Sequence, residues 1–207
     1  CVDRIARALN DHSKPVRGSR IAILGVSYKA GVGDLRESPA LRIMRISLKH
    51  GNASPSAFGY VLYGLVTGAV FHDYARGHQF GELAVRLARE GPDVVLRSKI
   101  LMIFAGFVNF WRAPVDSSLA MLREAFRLAF DSGDVQYANY AILQILFLKI
   151  ARGAPLPELS AEFERYADFV TAAGDQYTMA NYRLRVDYAR VLQDQAAPEN
   201  ALSRPTF

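Results

Sequence analysis

The apolar positions divide the 207-residue chain into two parts with different patterns. In residues 1–51 they predict helix, strand, loop and helix: "VDRIARALND" has one apolar helical face, and "RIAILG" is a short apolar run of strand type. Ser38-Pro39 is a favourable helix start, and Gly51 is a natural helix end. From Ser54 onward the apolar residues have helical spacing throughout.

The second part predicts a series of helices separated by short breaks. Ser54-Pro55 starts "AFGYVLYGLVTGAVF", and glycine or proline marks the later turns. The further helices are predicted at about 76–90, 94–112, 116–131, 134–152, 157–173 and 175–193.

This helical part repeats itself. "AVRLAREGPDV" (84–94) aligns with "AFRLAFDSGDV" (125–135) at an offset of 41 residues, and "SGDVQYANY" (132–140) aligns with "AGDQYTMANYR" (173–183) at 41 to 42. A period near 40 made of two helices is typical of a solenoid, so we predict a right-handed, TPR-like stack of antiparallel helix pairs. Three pairs of buried positions are predicted to be equivalent: Ala84 with Ala125, Leu87 with Leu128, and Ala88 with Ala129.

The string "RIAILGVSYKAGVGDLRESPAL", with the helix before it, resembles the start of the C-terminal domain of the UDP-glucose and UDP-N-acetylmannosamine dehydrogenase family. The resemblance implies a truncated Rossmann-like βα fragment. In that family an aromatic–lysine pair touches the UDP-sugar, here Tyr28 and Lys29, and the arginine of "RES", here Arg36, reaches NAD. Both cations suit phosphate oxygens. The alternative is that they are solvated loop cations and that Tyr28 covers the strand end.

The other sequence motifs of that family do not occur in this sequence. Neither the G-x-G-x-x-G fingerprint nor the glycine-rich setting of the catalytic cysteine occurs, and the dehydrogenase pattern stops at Gly51. We therefore expect no catalytic residue and no cofactor, with the binding residues vestigial. The alternative is a fragment or subunit of an NAD-dependent UDP-sugar 6-dehydrogenase, whose fold and UDP-sugar site another chain completes.

The strand Arg20–Leu24 has no predicted neighbour, and an unpaired strand exposes a row of backbone donors and acceptors. Two outcomes are open. Either the strand pairs with its copy in a second chain, or residues 13–38 are poorly ordered and only the helix after Pro39 docks onto the repeats. We favour the second, because a single pair of strands is marginal in water.

Residues 51–195 resemble the helical-repeat middle region of large bacterial signalling proteins, which combine a predicted ATPase with serine/threonine kinase and sensor histidine kinase domains. The resemblance lies in "SAFGYVLYGLVTGAVFHDYARGHQFGELAVRLA" and "FVNFWRAPVDSSLAMLREAFRLAFDSGDVQYANYA". It implies a non-catalytic interaction or regulatory module, since no P-loop or kinase motif occurs in this sequence.

Charge and cysteine content bear on whether the protein binds nucleic acid or metal, and on its location. The net charge of +5 is uneven, with +6 in residues 1–50 and −1 in residues 51–207. The basic segment lacks interleaved aromatic residues, so we predict no nucleic-acid partner. Cys1 is the single cysteine and the four histidines lack metal-ligand spacing, so we predict no metal site. One cysteine and no evident leader predict a cytoplasmic location.

Residues 53–71 carry no charge, and "GLVTG" fits the small-residue pattern of membrane helices. The alternative, which we favour, is a buried helix in which Gly59, Gly64 and Gly68 permit close approach of a neighbour. We therefore predict no membrane contact.

The predictions combine into a mainly α-helical chain with three parts: a dehydrogenase-like fragment at 1–51, a helical-repeat domain at 52–195 and a tail at 196–207. The repeats are predicted to bind a protein partner. Four aromatic residues at helical spacing are predicted to be core, although an outward-facing subset would form a partner groove; they are Phe104, Phe107, Phe110 and Trp111.

Overall fold

A computed structural model describes residues 39–53 and 55–193. These residues are mainly α-helical and form eight α-helices and one 3-10 helix (Asn109–Trp111). The α-helices are α1 (Pro39–His50), α2 (Ser56–Ala69), α3 (Tyr74–Glu90), α4 (Val94–Phe107), α5 (Val115–Asp131), α6 (Val135–Ala151), α7 (Leu156–Ala173) and α8 (Gln176–Leu192). The predicted strand Arg20–Leu24, the Rossmann-like fragment around it and the tail at 196–207 lie outside the described residues.

Capping residues set the helix starts. Asp93, Asp134 and Asp175 are the N-caps of α4, α6 and α8, and each carboxylate accepts a hydrogen bond from the backbone N–H three residues later. Pro114 and Pro155 precede α5 and α7. The predicted helices agree with these bounds to within two residues, except that the helix predicted to reach residue 112 ends at Phe107 and is followed by the 3-10 helix.

The starts of alternate helices recur at a constant interval of 41 residues. Helices α3, α5 and α7 begin at Tyr74, Val115 and Leu156, and helices α4, α6 and α8 begin at Val94, Val135 and Gln176. The aspartate caps and the proline caps recur at the same interval. The interval matches the offset at which the sequence repeats.

Helices that follow one another run antiparallel and build two rows. Arg97, in the first turn of α4, donates to the Ala88 carbonyl near the end of α3, while His78, near the start of α3, hydrogen-bonds Asn109 just beyond α4. In one row, α2 contacts α4, α4 contacts α6, and α6 contacts α8. In the other row, Arg89 of α3 pairs with Glu124 of α5, and aromatic rings join α5 to α7.

The apolar core lies between the two rows, and its largest fully buried aliphatic side chains are Ile100, Leu101, Leu122, Ile142, Ile145, Leu146 and Leu148. The four repeat-equivalent alanines are buried, as predicted. Leu87 and Leu128 pack against the core but are only half-buried, so the predicted full burial was wrong for them. Each precedes a buried alanine by one position, and one residue turns a side chain about 100° around the helix.

Helices α2 and α3 approach to backbone contact through glycine. A Cβ atom on Gly64 would lie 2.5 Å from the Gly77 carbonyl oxygen, and one on Gly77 would lie 2.7 Å from the Gly64 carbonyl oxygen. Gly59, Gly64 and Gly68 are all buried. This is the close approach that the favoured interpretation of residues 53–71 predicted.

Among the described residues, one stretch is long and apolar enough to cross a membrane by length and composition. It is Val94–Trp111, with a mean hydropathy of 1.5, and 56% of it is buried among the other helices. Ser56–Ala69 is a shorter apolar helix of 14 residues. The core helix of a folded domain meets the same criterion, so this stretch alone is weak support for a membrane span.

Helix α1 packs against the first helix of the stack. The Ser47 and Ser56 hydroxyl oxygens are 2.7 Å apart, and Met44 is buried. Gly51 ends α1 with a φ of +94°, and its N–H donates to the Ser47 carbonyl. The helix after Pro39 therefore packs against α2. The predicted poor order of residues 13–38 lies outside the described residues, and the boundary between residues 51 and 52 stays a prediction.

Candidate functional site

A cavity of about 370 Å³ is open to solvent on the row formed by α4, α6 and α8. Its lining includes Met102 and Phe107 of α4, Tyr140 and Gln144 of α6, and Tyr177 and Arg185 of α8. We call this cavity the aromatic groove. It is an open surface shared by three helices.

The 41-residue register explains why these side chains share one face. Leu143 is 41 residues after Met102, and Arg185 is 41 residues after Gln144; all four line the aromatic groove. Because the helices of the row start at the same interval, equivalent positions present the same side of each helix. The groove is therefore a consequence of the stacking.

The tyrosines of the groove are held in place by neighbours. Tyr137 and Tyr140 pack edge to face with ring centroids 5.6 Å apart, and the Gln136 side-chain amide donates to the Tyr140 hydroxyl at 2.9 Å. The Lys99 ammonium lies 4.7 Å from the Tyr137 ring centroid and 3.1 Å from an Asp134 carboxylate oxygen. Burial raises the pKa of Tyr137, and the Asp134 charge and Tyr140 raise it further. The Tyr137 phenol is thus a neutral donor.

Arg185 brings a positive charge into the groove. The side chain is half-buried, and Nη1 donates to the Asn181 carbonyl oxygen at 2.8 Å and to the Asn181 side-chain oxygen at 3.3 Å. The Asn181 amide in turn donates to the Tyr177 carbonyl at 3.0 Å. Burial lowers the pKa of Arg185, but a guanidinium stays charged in proteins. Its described hydrogen bonds go to uncharged acceptors.

A second cavity, of about 430 Å³, adjoins the groove and shares Tyr140 and Tyr177 with it. Asn139 lines this second cavity and is 2% exposed. Within the described part of the chain, its side-chain oxygen is buried and accepts no hydrogen bond. Buried polar groups are paired in the great majority of cases, so this oxygen is an exception. Because the oxygen itself is buried, it is not a contact surface of the open cavity.

Another charged cluster joins α5, α6 and α7 and is structural. The Lys149 ammonium lies 2.5 Å from a Glu162 carboxylate oxygen and 2.9 Å from a Glu158 oxygen, and Arg123 contacts Glu162 at 3.2 Å. Burial, followed by the nearby Glu162 charge, raises the pKa of Tyr166 to about 12. Lys149 and Glu162 are both buried, and this cluster lines neither the aromatic groove nor its adjoining cavity.

The residues predicted to bind a nucleotide sugar and NAD, Tyr28, Lys29 and Arg36, lie outside the described residues. Within residues 39–53 and 55–193, no three His, Cys, Asp or Glu side chains are close enough to hold a metal ion. His78 hydrogen-bonds the Asn109 side-chain oxygen at 3.0 Å and lies 3.5 Å from Glu82. These two contacts hold the His78 side chain against its neighbours within the fold.

The four aromatic residues predicted to be core differ in how far they are buried. Phe104 is 3% exposed and is core. Phe107 and Trp111 are 41% and 57% exposed, so the core prediction was wrong for them. Helix α4 ends at Phe107. Trp111, in the 3-10 helix that follows, lies on the surface with its ring centroid 5.2 Å from that of Tyr74. Phe107 is the outward-facing member that lines the groove.

The groove residues of α6 and α8 were not predicted as a site. The repeated strings "QYANY" and "QYTMANY" contain Tyr137, Tyr140, Tyr177 and Asn181, but they served only to measure the repeat. The charges gave only a weak indication, since α4 and α6 contain no carboxylate after their Asp93 and Asp134 caps.

Comparison with known proteins confirms the two resemblances and leaves the family open. Hybrid signal transduction histidine kinase G of Dictyostelium discoideum is 23% identical over 172 residues, covering 76% of this chain and 5% of that protein. The UDP-glucose 6-dehydrogenase of Rickettsia conorii is 51% identical over 47 residues, covering 23% of this chain and 10% of that enzyme. The Rickettsia bellii enzyme is 46% identical over 50 residues, or 11% of its length.

The chain thus spans a small fraction of the curated relatives that it matches. No protein-family model matches it, and no solved structure matches it.

Proposed function

We propose that the described helices form a TPR-like repeat stack that serves as a non-catalytic protein-binding module of a signalling protein. The constant 41-residue register of helices and caps carries the proposal. Repeat stacks of this kind present one continuous face from equivalent positions, and that face is where they bind. The similarity to a hybrid histidine kinase supports the signalling context; a bacterial source stays a prediction.

The chemistry of the groove supports binding over catalysis. Its walls carry phenols, amides, apolar side chains and one guanidinium. Aromatic side chains with polar tips are enriched in protein interfaces, because they bury a large area and still donate hydrogen bonds. We propose that the partner is an extended peptide segment that lies along the groove.

A peptide-display selection tests this function. The purified chain is used to select from a random library of peptides about 12 residues long, and the affinity of enriched peptides is measured by fluorescence polarisation. Phe107→Ala removes an exposed groove ring, and Phe130→Ala is the matched control, since Phe130 is 56% exposed on the other row. We expect Phe107→Ala to weaken binding about tenfold, as interface aromatics commonly do, and Phe130→Ala to leave it unchanged. Failure to enrich any peptide would contradict the proposal.

The alternative is a fragment of an NAD-dependent UDP-sugar dehydrogenase, favoured by the 51% identity over 47 residues. In this alternative Tyr28 and Lys29 contact the UDP-sugar and Arg36 contacts NAD. Purified chain is mixed with UDP-glucose and NAD, and absorbance at the NADH maximum is followed. We expect no substrate-dependent reduction, and turnover that copurifies with the chain would favour the alternative.

A further inference from the structure

The two rows of helices carry opposite charge. With their aspartate N-caps counted, helices α2, α4, α6 and α8 contain six Lys or Arg and four carboxylates, a balance of +2. Helices α3, α5 and α7, with the Asp73 cap of α3, contain six Lys or Arg and ten carboxylates, a balance of −4. The groove therefore opens on the basic row, although the helical part of the chain as a whole is near neutral.

Some of these cations are already used within the fold. Arg97 donates to the carbonyls at the end of α3, and Lys149 faces the carboxylates of α7. Lys99 is partnered by the Asp134 cap. On α8, Asp187 pairs with Arg190. Arg185 is the cation that lines the groove itself.

The surroundings of Arg185 suit an anion. Its guanidinium is half-buried, and its described bonds, both to Asn181, occupy one of its three nitrogens. A guanidinium presents its donors as a fork that matches a carboxylate. Partial burial strengthens such a pair, because the effective dielectric constant is lower than in water.

We infer that the groove recognises an acidic peptide, with an Asp or Glu side chain bound by Arg185 and a neighbouring apolar or aromatic side chain packed against Phe107 and Tyr140. This inference rests on the proposed function and adds the chemical class of the partner. Gln144 also lines the groove and supplies an uncharged amide to the peptide backbone beside the carboxylate.

A nucleic acid fits this surface less well. Nucleic-acid interfaces neutralise several phosphates at once with Lys and Arg, whereas one guanidinium lines the groove and its other walls are apolar or neutral. Binding to a single acidic side chain next to an apolar one requires no larger basic patch.

The test uses peptides enriched by the selection and their counterparts with every Asp and Glu changed to Asn and Gln. Each pair is titrated by fluorescence polarisation against the unmodified chain, Arg185→Gln and Arg183→Gln at 150 mM salt. Arg183 is the matched control, because it is an exposed arginine of the same helix that does not line the groove. Circular dichroism establishes that each variant keeps the helical content of the unmodified chain.

We expect acidic peptides to dominate the selection and to lose about 10- to 100-fold in affinity with Arg185→Gln, as for hydrogen bonds to charged groups. The amide counterparts should bind the unmodified chain and Arg185→Gln equally, and Arg183→Gln should change affinity less than twofold. Enriched peptides without an acidic excess, or an affinity unaffected by Arg185→Gln, would overturn the inference and leave the proposed function standing. A selection that enriches nothing would overturn both.

Discussion

Substitution of Gly64 by alanine tests the closest contact in the fold. The added Cβ would lie 2.5 Å from the Gly77 carbonyl oxygen and 3.3 Å from the Gly81 nitrogen. Both neighbours are backbone atoms, so no side chain can rotate away, and α2 and α3 must separate. Gly68 provides a matched control in the same helix, since a Cβ there would lie 3.7 Å from the Tyr74 ring, an ordinary van der Waals distance.

The expected magnitude follows from two opposing effects. Alanine is favoured over glycine in a helix interior by about 1 kcal/mol, and this gain applies to both variants. Overpacking a well-packed contact costs about 1–3 kcal/mol, and this cost applies only to Gly64→Ala. The free energy of unfolding should therefore be about 1–3 kcal/mol lower for Gly64→Ala than for Gly68→Ala. For a chain of this size the difference corresponds to a Tm lower by about 2–12 °C.

Urea denaturation followed by circular dichroism at 222 nm measures both variants and the unmodified chain. Equal stability of the two variants, or a more stable Gly64→Ala, would refute the close approach of α2 and α3. A lower m-value for Gly64→Ala alone would indicate a change in the extent of unfolding, so the comparison requires equal m-values.

Two further predictions concern the core and the buried charges. Leu122 is fully buried and Leu128 of the same helix is half-buried, so Leu122→Ala should cost about 2–5 kcal/mol and Leu128→Ala less than half of that; equal losses in urea denaturation would contradict the placement of the core. Burial alone would raise the pKa of Glu162, but the hydrogen bond from Lys149 and the charges of Arg123 and Lys149 hold it below the ordinary value of 4.5. Since the folded pKa is depressed, the pair stabilises the fold above pH 4.5 and its contribution disappears as the pH falls through the folded pKa. Glu162→Gln should therefore lower stability at pH 7 and flatten the loss of stability below pH 4.5; a loss as steep as that of the unmodified chain would refute this.

The helices were predictable because each one obeys local rules. An aspartate or a proline stands at most helix starts, glycines or short polar segments separate the helices, and the apolar spacing is helical between them. The 41-residue repeat was visible in the sequence and recurs in the helix starts. Burial was predictable for small residues such as Ala125, because Ala125 and Ala129 lie four residues apart and so share one helix face, where small side chains permit close contact with a neighbour.

The groove was not predictable, because its residues are distant in the sequence and none belongs to a known motif. Tyr140 and Asn181 stand 41 residues apart, but the sequence alignment paired Asn139 with Asn181 at an offset of 42. That shift of one residue assigns Asn139, a buried residue, to the position of a groove residue. Only the capped helix starts, Asp134 and Asp175, fix the offset at 41.

The constant register also explains why α8 differs from the other helices of its row. Met102 and Leu143 stand 41 residues apart and are 4% and 6% exposed, whereas Leu184, a further 41 residues on, is 54% exposed. The next helix of the row covers the first two, and no described helix follows α8. Arg185 is half-buried and lines the open aromatic groove, whereas the buried Leu143 contributes to the core. Arg185→Gln is therefore expected to change affinity while leaving the packing of the described helices intact.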